Sequence, residues 1–101
     1  MGTMAIKVIR DRPGRPTVRV YGSVIGARVQ GKLLDLARHG ERTIALDLAQ
    51  VDQVDVRGMQ GLVTAFERMR ARRGALSIIS ASDAVRRMLA DRNLGHMLAA
   101  S

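Results

Sequence analysis

The fold of this chain is decided by residues 45–62, which read ALDLAQVDQVDVRGMQGL. The mainly apolar run that ends at Leu48 predicts a buried strand, and the residues after it predict a short loop that carries Asp52 and Asp55. Gly58 then opens a helix. A strand that runs through a loop into a helix places the loop and the helix start at the C-terminal edge of a sheet. Ligands and partners dock at this edge in open α/β sheets, so we expect the functional surface there.

The residues around this junction predict further strands and helices. Period-two alternation of apolar and polar residues predicts strands over 4–9 and 17–22, joined by a turn at Pro13-Gly14. Apolar residues at helical spacing predict a first helix that starts at Ile25. The remaining predicted elements are strands over 43–48 and 75–81, a helix from Gly58 to a stop at Gly74, and a last helix capped by Ser82. The nearly continuous apolar run over 43–48 is typical of a strand covered on both faces.

The predicted order of elements is β-β-α-β-α-β-α. Strands that alternate with helices imply right-handed crossovers and a mostly parallel sheet, and the first two strands add an antiparallel N-terminal edge. The 101 residues predict one α/β domain over 1–101, with the segment 94–98 packing back on the core.

Composition excludes several classes of protein. The chain contains no cysteine, which excludes disulfides and thiolate metal sites. No apolar run approaches the ~20 residues that span a bilayer. Residues 1–7 lack the basic and apolar regions of a secretory signal. We therefore expect a cytoplasmic protein that does not insert into a membrane.

The formal charge of +8 comes from 17 basic and 9 acidic residues. An excess of this size favours an acidic partner, an anionic lipid or a nucleic acid, or it is simply a solvated basic surface. Proteins that bind single-stranded nucleic acid interleave basic residues with aromatic ones. The only aromatic residues are Tyr21 and Phe66, so we do not expect a nucleic-acid partner.

The strand-loop-helix segment resembles the STAS domain family, which includes bacterial anti-sigma factor antagonists and the cytoplasmic domains of sulfate transporters. The residues that match the family pattern are Asp47, Leu48, Val51, Val54, Asp55, Gly58 and Leu62. The resemblance extends from Val18 to Leu98. It implies a STAS-type mixed sheet and a non-catalytic module that binds an anti-sigma factor or kinase-type protein partner.

The chain departs from the family pattern at two places. Antagonists carry two Ser or Thr residues between the motif Asp and Gly, and phosphorylation of the second by the partner kinase ends the interaction. This chain has Val56 and Arg57 there. Many members also carry an Asp where this chain has Ile25. Phosphoserine brings a charge of about −1.5 to −2. Arg57 brings +1, so we expect binding that phosphorylation at this position does not switch off, or a partner with an acidic face.

We expect the partner to bind residues 52–61, the first turns of the second helix and the neighbouring residues 22–25. The predicted partner-binding residues are Ser23, Asp52, Asp55, Val56, Arg57, Gly58, Met59 and Gln60. Asp55 is expected to cap the second helix by accepting from the N–H of Arg57 or Gly58. A cation in the first turn opposes the helix dipole. Arg57 is therefore either functional or a solvated side chain that leans toward Asp52.

Other functions are less well supported by the residues. Asp47, Asp52 and Asp55 suggest a Mg²⁺ site, but no His or Glu joins them at ligand spacing, so we expect no metal and no cofactor. His39 and His96 have no Ser or carboxylate partner nearby in the sequence, which argues against an enzyme. The alternatives to an antagonist-like role are a STAS subunit of a lipid or ABC transport complex and a nucleotide-binding sensor. The first strand could also pair across a homodimer axis.

Overall fold

A computed structural model describes residues 4–11, 13–24 and 26–98 of the chain. The elements within these ranges are β1 (Met4–Ile9), β2 (Thr17–Val24), α1 (Arg28–Arg38), β3 (Thr43–Val54), α2 (Val56–Ala71), β4 (Ala75–Ala81), α3 (Asp83–Asp91) and a 3₁₀ turn (Gly95–Met97). The predicted order β-β-α-β-α-β-α is confirmed.

The strands form one mixed sheet in the order β1-β2-β3-β4. The antiparallel pair β1-β2 places Val8 opposite Val18, and the pairs β2-β3 and β3-β4 are parallel. Each parallel crossover moves one strand further in the same direction. Because such crossovers are right-handed, α1 and α2 lie on the same face of the sheet.

The hydrophobic core fills the space between this face and the helices. The strands contribute the fully buried Val18, Val20, Ile44, Leu46 and Leu48. The helices contribute Val29, Leu33, Leu62, Met69, Val85 and Leu89 to the same cluster. Met97 of the C-terminal 3₁₀ turn is buried as well, which confirms that the segment 94–98 packs back on the core.

The other face of the sheet is not covered by helices, so the expectation that both faces of 43–48 are covered is wrong. Tyr21 and Ile79 are exposed on this face, and Arg19 lies beside Asp47 on neighbouring strands.

The Arg19 Nε donates a hydrogen bond to the Asp47 Oδ2 at 3.0 Å. The neighbouring Tyr21 hydroxyl and the Asp47 carboxylate raise the pKa of Arg19 above its ordinary value, so its guanidinium stays charged. The polar pair explains why one acidic residue interrupts an otherwise apolar strand.

Strand β3 extends to Val54 instead of ending at Leu48. The longer strand is possible because its pairing with β2 shifts register twice. β3 has one extra residue between the partners of Arg19 and Tyr21. It has a second extra residue between the partners of Gly22 and Ser23. The second extra residue is Asp52. Asp52 therefore lies in a bulged strand end and not in the predicted loop.

The helix boundaries also differ from the predicted ones. Helix α1 begins at Arg28, and Ile25, where the sequence predicted its start, lies outside the described residues. Helix α2 begins at Val56, two residues before Gly58. The left-handed residue after α2 is Arg73, with φ of 59°, and not Gly74. Gly74 is instead required by packing, because a Cβ atom there would lie 2.6 Å from the Arg42 carbonyl oxygen.

Among the described residues, no helix combines the length and the apolar character that crossing a membrane requires.

Candidate functional site

The candidate site lies at the C-terminal edge of the parallel strands, where the ends of β2 and β3 meet the start of α2. The Asp55 backbone N–H donates to the Val24 carbonyl oxygen at 3.1 Å. This hydrogen bond extends the β2-β3 pairing to Asp55, the residue before α2. The first turn of α2 is thereby attached directly to the sheet.

Asp55 holds the start of α2 through its side chain. Its Oδ1 accepts a hydrogen bond from the Gly58 N–H at 2.6 Å, the bond expected of an N-cap. The same oxygen accepts from the Gly26 N–H at 3.1 Å. The predicted capping role is confirmed, with Gly58 as the donor. The second bond additionally ties the helix to the segment that joins β2 to α1.

Gly58 and Met59 are buried beneath this first turn. A Cβ atom at Gly58 would lie 2.4 Å from the Val24 carbonyl oxygen, so only glycine allows α2 to approach the end of β2 this closely. Met59 is 2% exposed and packs in the core. Both residues belong to the predicted partner-binding set. Because both are buried, they position the helix, and their contact with a partner stays a prediction.

Ser23 and Asp52 form the second polar contact of the site. Ser23 is 4% exposed, and its hydroxyl donates to the Asp52 Oδ1 at 3.1 Å. Asp52 itself is exposed at the bulged end of β3. The buried hydroxyl therefore restricts the orientation of a carboxylate that a partner can reach.

The exposed part of the site consists of Asp52, Val56, Arg57 and Gln60, which we call the α2 surface. Val56 is 53% exposed, an unusual position for an aliphatic side chain in this protein. No acidic residue occupies the first turn of α2. Within the described ranges Arg57 forms no ion pair with Asp52 or with any other carboxylate, so the alternative that it leans toward Asp52 finds no support.

The three aspartates of the motif do not converge. Asp47 contacts Arg19 and accepts from the Ala49 N–H at 3.0 Å, while Asp52 and Asp55 have the separate donors described above. No group of three or more His, Asp or Glu residues in the described part of the chain could hold a metal ion.

The two histidines lie in unrelated places. His39 follows α1, and its Nδ1 lies 2.7 Å from the Asp35 carbonyl oxygen and 3.6 Å from the Asp35 Oδ1. The expectation that His39 has no carboxylate partner nearby is therefore wrong, because Asp35 lies one helical turn before it. His96 stacks edge-on against Phe66, with 5.6 Å between the ring centroids.

Two contributors to the site were not found from the sequence. They are the Gly26 N–H, which donates to Asp55, and the Val24 carbonyl oxygen, which accepts from the Asp55 N–H. Both are backbone groups, so no residue type in the sequence indicates them.

Comparison with known families identifies the domain. A family model described as "Mlab, STAS domain" matches residues 9–99. The chain belongs to the STAS domain family. The resemblance on residues 47–62 is thereby confirmed over nearly the whole length of this STAS domain.

Solved structures show the same fold. The anti-sigma factor antagonist SpoIIAA in its unphosphorylated form is 16% identical, with a TM-score of 0.80 over 96% of this chain and 88% of that chain. The Bacillus cell fate determinant SpoIIAA in its phosphorylated form is 15% identical, with a TM-score of 0.76 over 96% and 91% of the two chains. An anti-sigma factor antagonist from Mycobacterium paratuberculosis is 16% identical, with a TM-score of 0.81 over 95% and 83%. No curated protein sequence matches the chain significantly.

Proposed function

We propose that this STAS domain is a non-catalytic, cytoplasmic interaction module that acts like an anti-sigma factor antagonist. In this proposal residues 1–101 form a single domain, and the α2 surface binds an anti-sigma factor or the kinase domain of one. The fold shared with SpoIIAA and with the Mycobacterium paratuberculosis antagonist supports the type of function.

The observation that carries the proposal is the position of Arg57. It is exposed in the first turn of α2, where no carboxylate pairs with it among the described residues and where the positive end of the helix dipole disfavours a cation. Asp55 fixes this turn by its bonds to Gly26 and Gly58. An exposed guanidinium carried by this fixed turn, beside the exposed Val56, suits a partner that presents a carboxylate next to an apolar side chain.

The same position determines how the interaction is regulated. SpoIIAA exists in a phosphorylated and an unphosphorylated form. Residues 55–61 of this STAS domain read DVRGMQG and contain no hydroxyl group. Because Arg57 differs from phosphoserine by roughly 2.5–3 charges, we infer that the α2 surface remains competent for its partner at all times.

The test is a binding measurement with purified anti-sigma factor kinase domains encoded in the same genome. We expect Arg57→Glu to weaken binding by at least about tenfold, since it replaces attraction by repulsion at the centre of the surface. Arg15→Glu makes the same change of charge before β2 begins, at the opposite edge of the sheet, and is expected to have little effect. Equal affinities of wild type and Arg57→Glu would contradict the proposal. Binding heat with GTP or ATP in calorimetry would favour the nucleotide-sensor alternative.

A second candidate is the STAS subunit of a membrane transport complex. The matching family model carries the name Mlab and not that of an anti-sigma factor antagonist, so membership of the family does not select the antagonist role. In this role the basic helices would face an acidic transporter subunit. Genes for an ABC transporter next to this gene, together with binding to its purified ATPase subunit and not to anti-sigma factors, would decide for this candidate.

A further inference from the structure

A second surface lies at the other end of the helix pair. A cleft of about 220 Å³ separates α1 from α2 near their C-terminal ends and is lined by Leu34, Arg38, Arg68 and Arg72. Because both helices follow parallel strands, they run side by side in the same direction, and their C-terminal ends meet at one edge of the sheet. We call these four residues the arginine cleft.

The arginine cleft lies well away from the α2 surface. Arg68 lies 11 residues beyond Arg57 on α2, and Arg72, the C-cap residue of α2, lies 15 residues beyond it. This spacing corresponds to about 16–22 Å at 1.5 Å per residue. It exceeds the Debye length of about 10 Å in 0.1 M salt, so the two surfaces can be tested independently.

The cleft arginines have no acidic partner in the described part of the chain. The ion pairs found there use Arg10, Arg19 and His39. A neighbouring cavity of about 210 Å³ shares Arg72 and adds Arg42, and its acidic residue, Glu41, is already paired with Arg10. None of the ion pairs in the described ranges therefore compensates the charge of Arg38, Arg68 or Arg72.

The helix dipoles explain only part of this arrangement. A basic residue in the last turn of a helix is favourable, and Arg38 and Arg68 occupy such positions. The dipole does not require that arginines of two helices share one cleft, where they repel one another. An anion bound between them would relieve this repulsion.

We propose that the arginine cleft binds an acidic segment of a protein partner. Two or more carboxylates would pair with Arg38, Arg68 and Arg72, since the guanidinium fork matches a carboxylate in two parallel hydrogen bonds. The half-buried Leu34 offers an aliphatic floor for one apolar side chain between them. Sites for small molecules usually measure about 300–1,000 Å³. The smaller cleft suits one or two side chains of a peptide.

Two other anionic occupants fit less well. Proteins that bind single-stranded nucleic acid usually stack its bases on aromatic side chains. Tyr21 and Phe66 are the only aromatic residues of the chain, and neither lines the cleft. Stable membrane binding combines basic residues with apolar side chains that enter the lipid. The large exposed apolar residues of the described ranges are Tyr21, Val56 and Ile79, none of which lies at the cleft.

The experiment measures binding of a fluorescein-labelled peptide of glutamates around a single leucine, in 0.1 M salt. We expect the variant Arg38→Gln/Arg68→Gln/Arg72→Gln to bind at least about tenfold more weakly than wild type, as the loss of three exposed ion pairs predicts. The control variant Arg15→Gln/Arg87→Gln/Arg92→Gln removes the same charge from exposed positions outside the cleft and is expected to bind nearly as wild type does. The charge-conserving variant Arg38→Lys/Arg68→Lys/Arg72→Lys should lose about threefold, since it keeps the charge without the fork.

Several outcomes would overturn the proposal. Equal losses in the cleft and control variants would show diffuse attraction by the net charge, and failure of wild type to bind the peptide would leave the cleft without this ligand. Binding of phosphatidylglycerol vesicles or single-stranded DNA that depends on the cleft, without peptide binding, would assign it to lipid or nucleic acid. If the triple Gln variant of the cleft has a lowered melting temperature, binding is measured with the single variant Arg72→Gln in its place. Arg57→Glu should leave peptide binding unchanged, so this test does not depend on the proposed role of the α2 surface.

Discussion

The Asp55 carboxylate accepts a hydrogen bond from the Gly26 backbone N–H at 3.1 Å while the same oxygen caps α2 at Gly58. One half-buried side chain thus joins the start of α2 to the segment between β2 and α1, 29 residues earlier in the chain. This side chain therefore reinforces the backbone bond from Asp55 to Val24 that attaches the first turn of α2 to the sheet. Variants of this group and its neighbours test how the site is built.

Replacing Asp55 by Ala should destabilise the domain by about 1–3 kcal/mol, which combines the loss of an N-cap with the loss of a second hydrogen bond. Urea denaturation followed by circular dichroism measures the change. Asp55→Asn is the matched control, because its amide oxygen still accepts from Gly58, and it should lose less than about 1 kcal/mol. If both variants lose the same free energy of unfolding, the negative charge of Asp55 stabilises the start of α2, and the hydrogen bond to Gly58 does not.

Two glycine-to-alanine substitutions should have opposite effects. Gly58→Ala forces a Cβ atom against the Val24 carbonyl oxygen and should cost about 1–3 kcal/mol, although alanine favours a helix. Gly31→Ala places its Cβ in open space within α1 and should stabilise by about 0.5–1 kcal/mol. Thermal melts of both variants provide the measurement. A stable Gly58→Ala variant would mean that α2 can move away from β2.

Ser23→Ala removes the buried hydroxyl that orients Asp52 and should reduce stability by about 0.5–1.5 kcal/mol. If Asp52 contributes to the α2 surface, Ser23→Ala also weakens partner binding, and it does so only through Asp52. Calorimetry on Ser23→Ala, Asp52→Ala and the double variant separates the two effects. The double variant should bind as Asp52→Ala does, whereas additive losses would contradict a purely positioning role for Ser23.

Incubation with an anti-sigma kinase and ATP should leave the binding of the wild-type domain unchanged, because residues 55–61 offer no hydroxyl group. Arg57→Ser should become phosphorylated at position 57 and then lose its partner, while Arg57→Ala should gain no phosphate. Mass spectrometry locates the phosphate, and a binding assay before and after incubation gives the functional result. Loss of wild-type binding after incubation would show that another residue is the regulated one. It would contradict the inference that the α2 surface binds its partner at all times.

The sequence predicted the elements whose signals are local. β1 and β4 have the predicted bounds, because alternation marks β1 and because Gly74 and the Ser82 cap enclose the short apolar run of β4. Asp55 and Ser82 cap α2 and α3 as expected, since each accepts from the residue three positions ahead. The positive charge on the first turn of α2 is likewise visible in the sequence.

The extended end of β3 was not predictable in this way. Residues 49–54 contain exposed polar positions and resemble a loop, yet they pair with β2 through two register shifts. Pairing of this kind depends on where β2 lies, which no short window of sequence contains. The same reason explains why the open face of the sheet was missed, since an apolar strand looks alike whether one or both of its faces are covered.

By itself, the sequence determined the order of strands and helices, the helix caps and the charge carried by each element, because these depend on residues within a few positions of one another. Only the tertiary structure decided that Ser23 meets Asp52, that Gly26 meets Asp55, and that arginines of α1 and α2 line one cleft. These contacts join residues about 30 positions apart along the chain. They exist because right-handed crossovers place neighbouring strands in order and set the helices side by side on one face of the sheet.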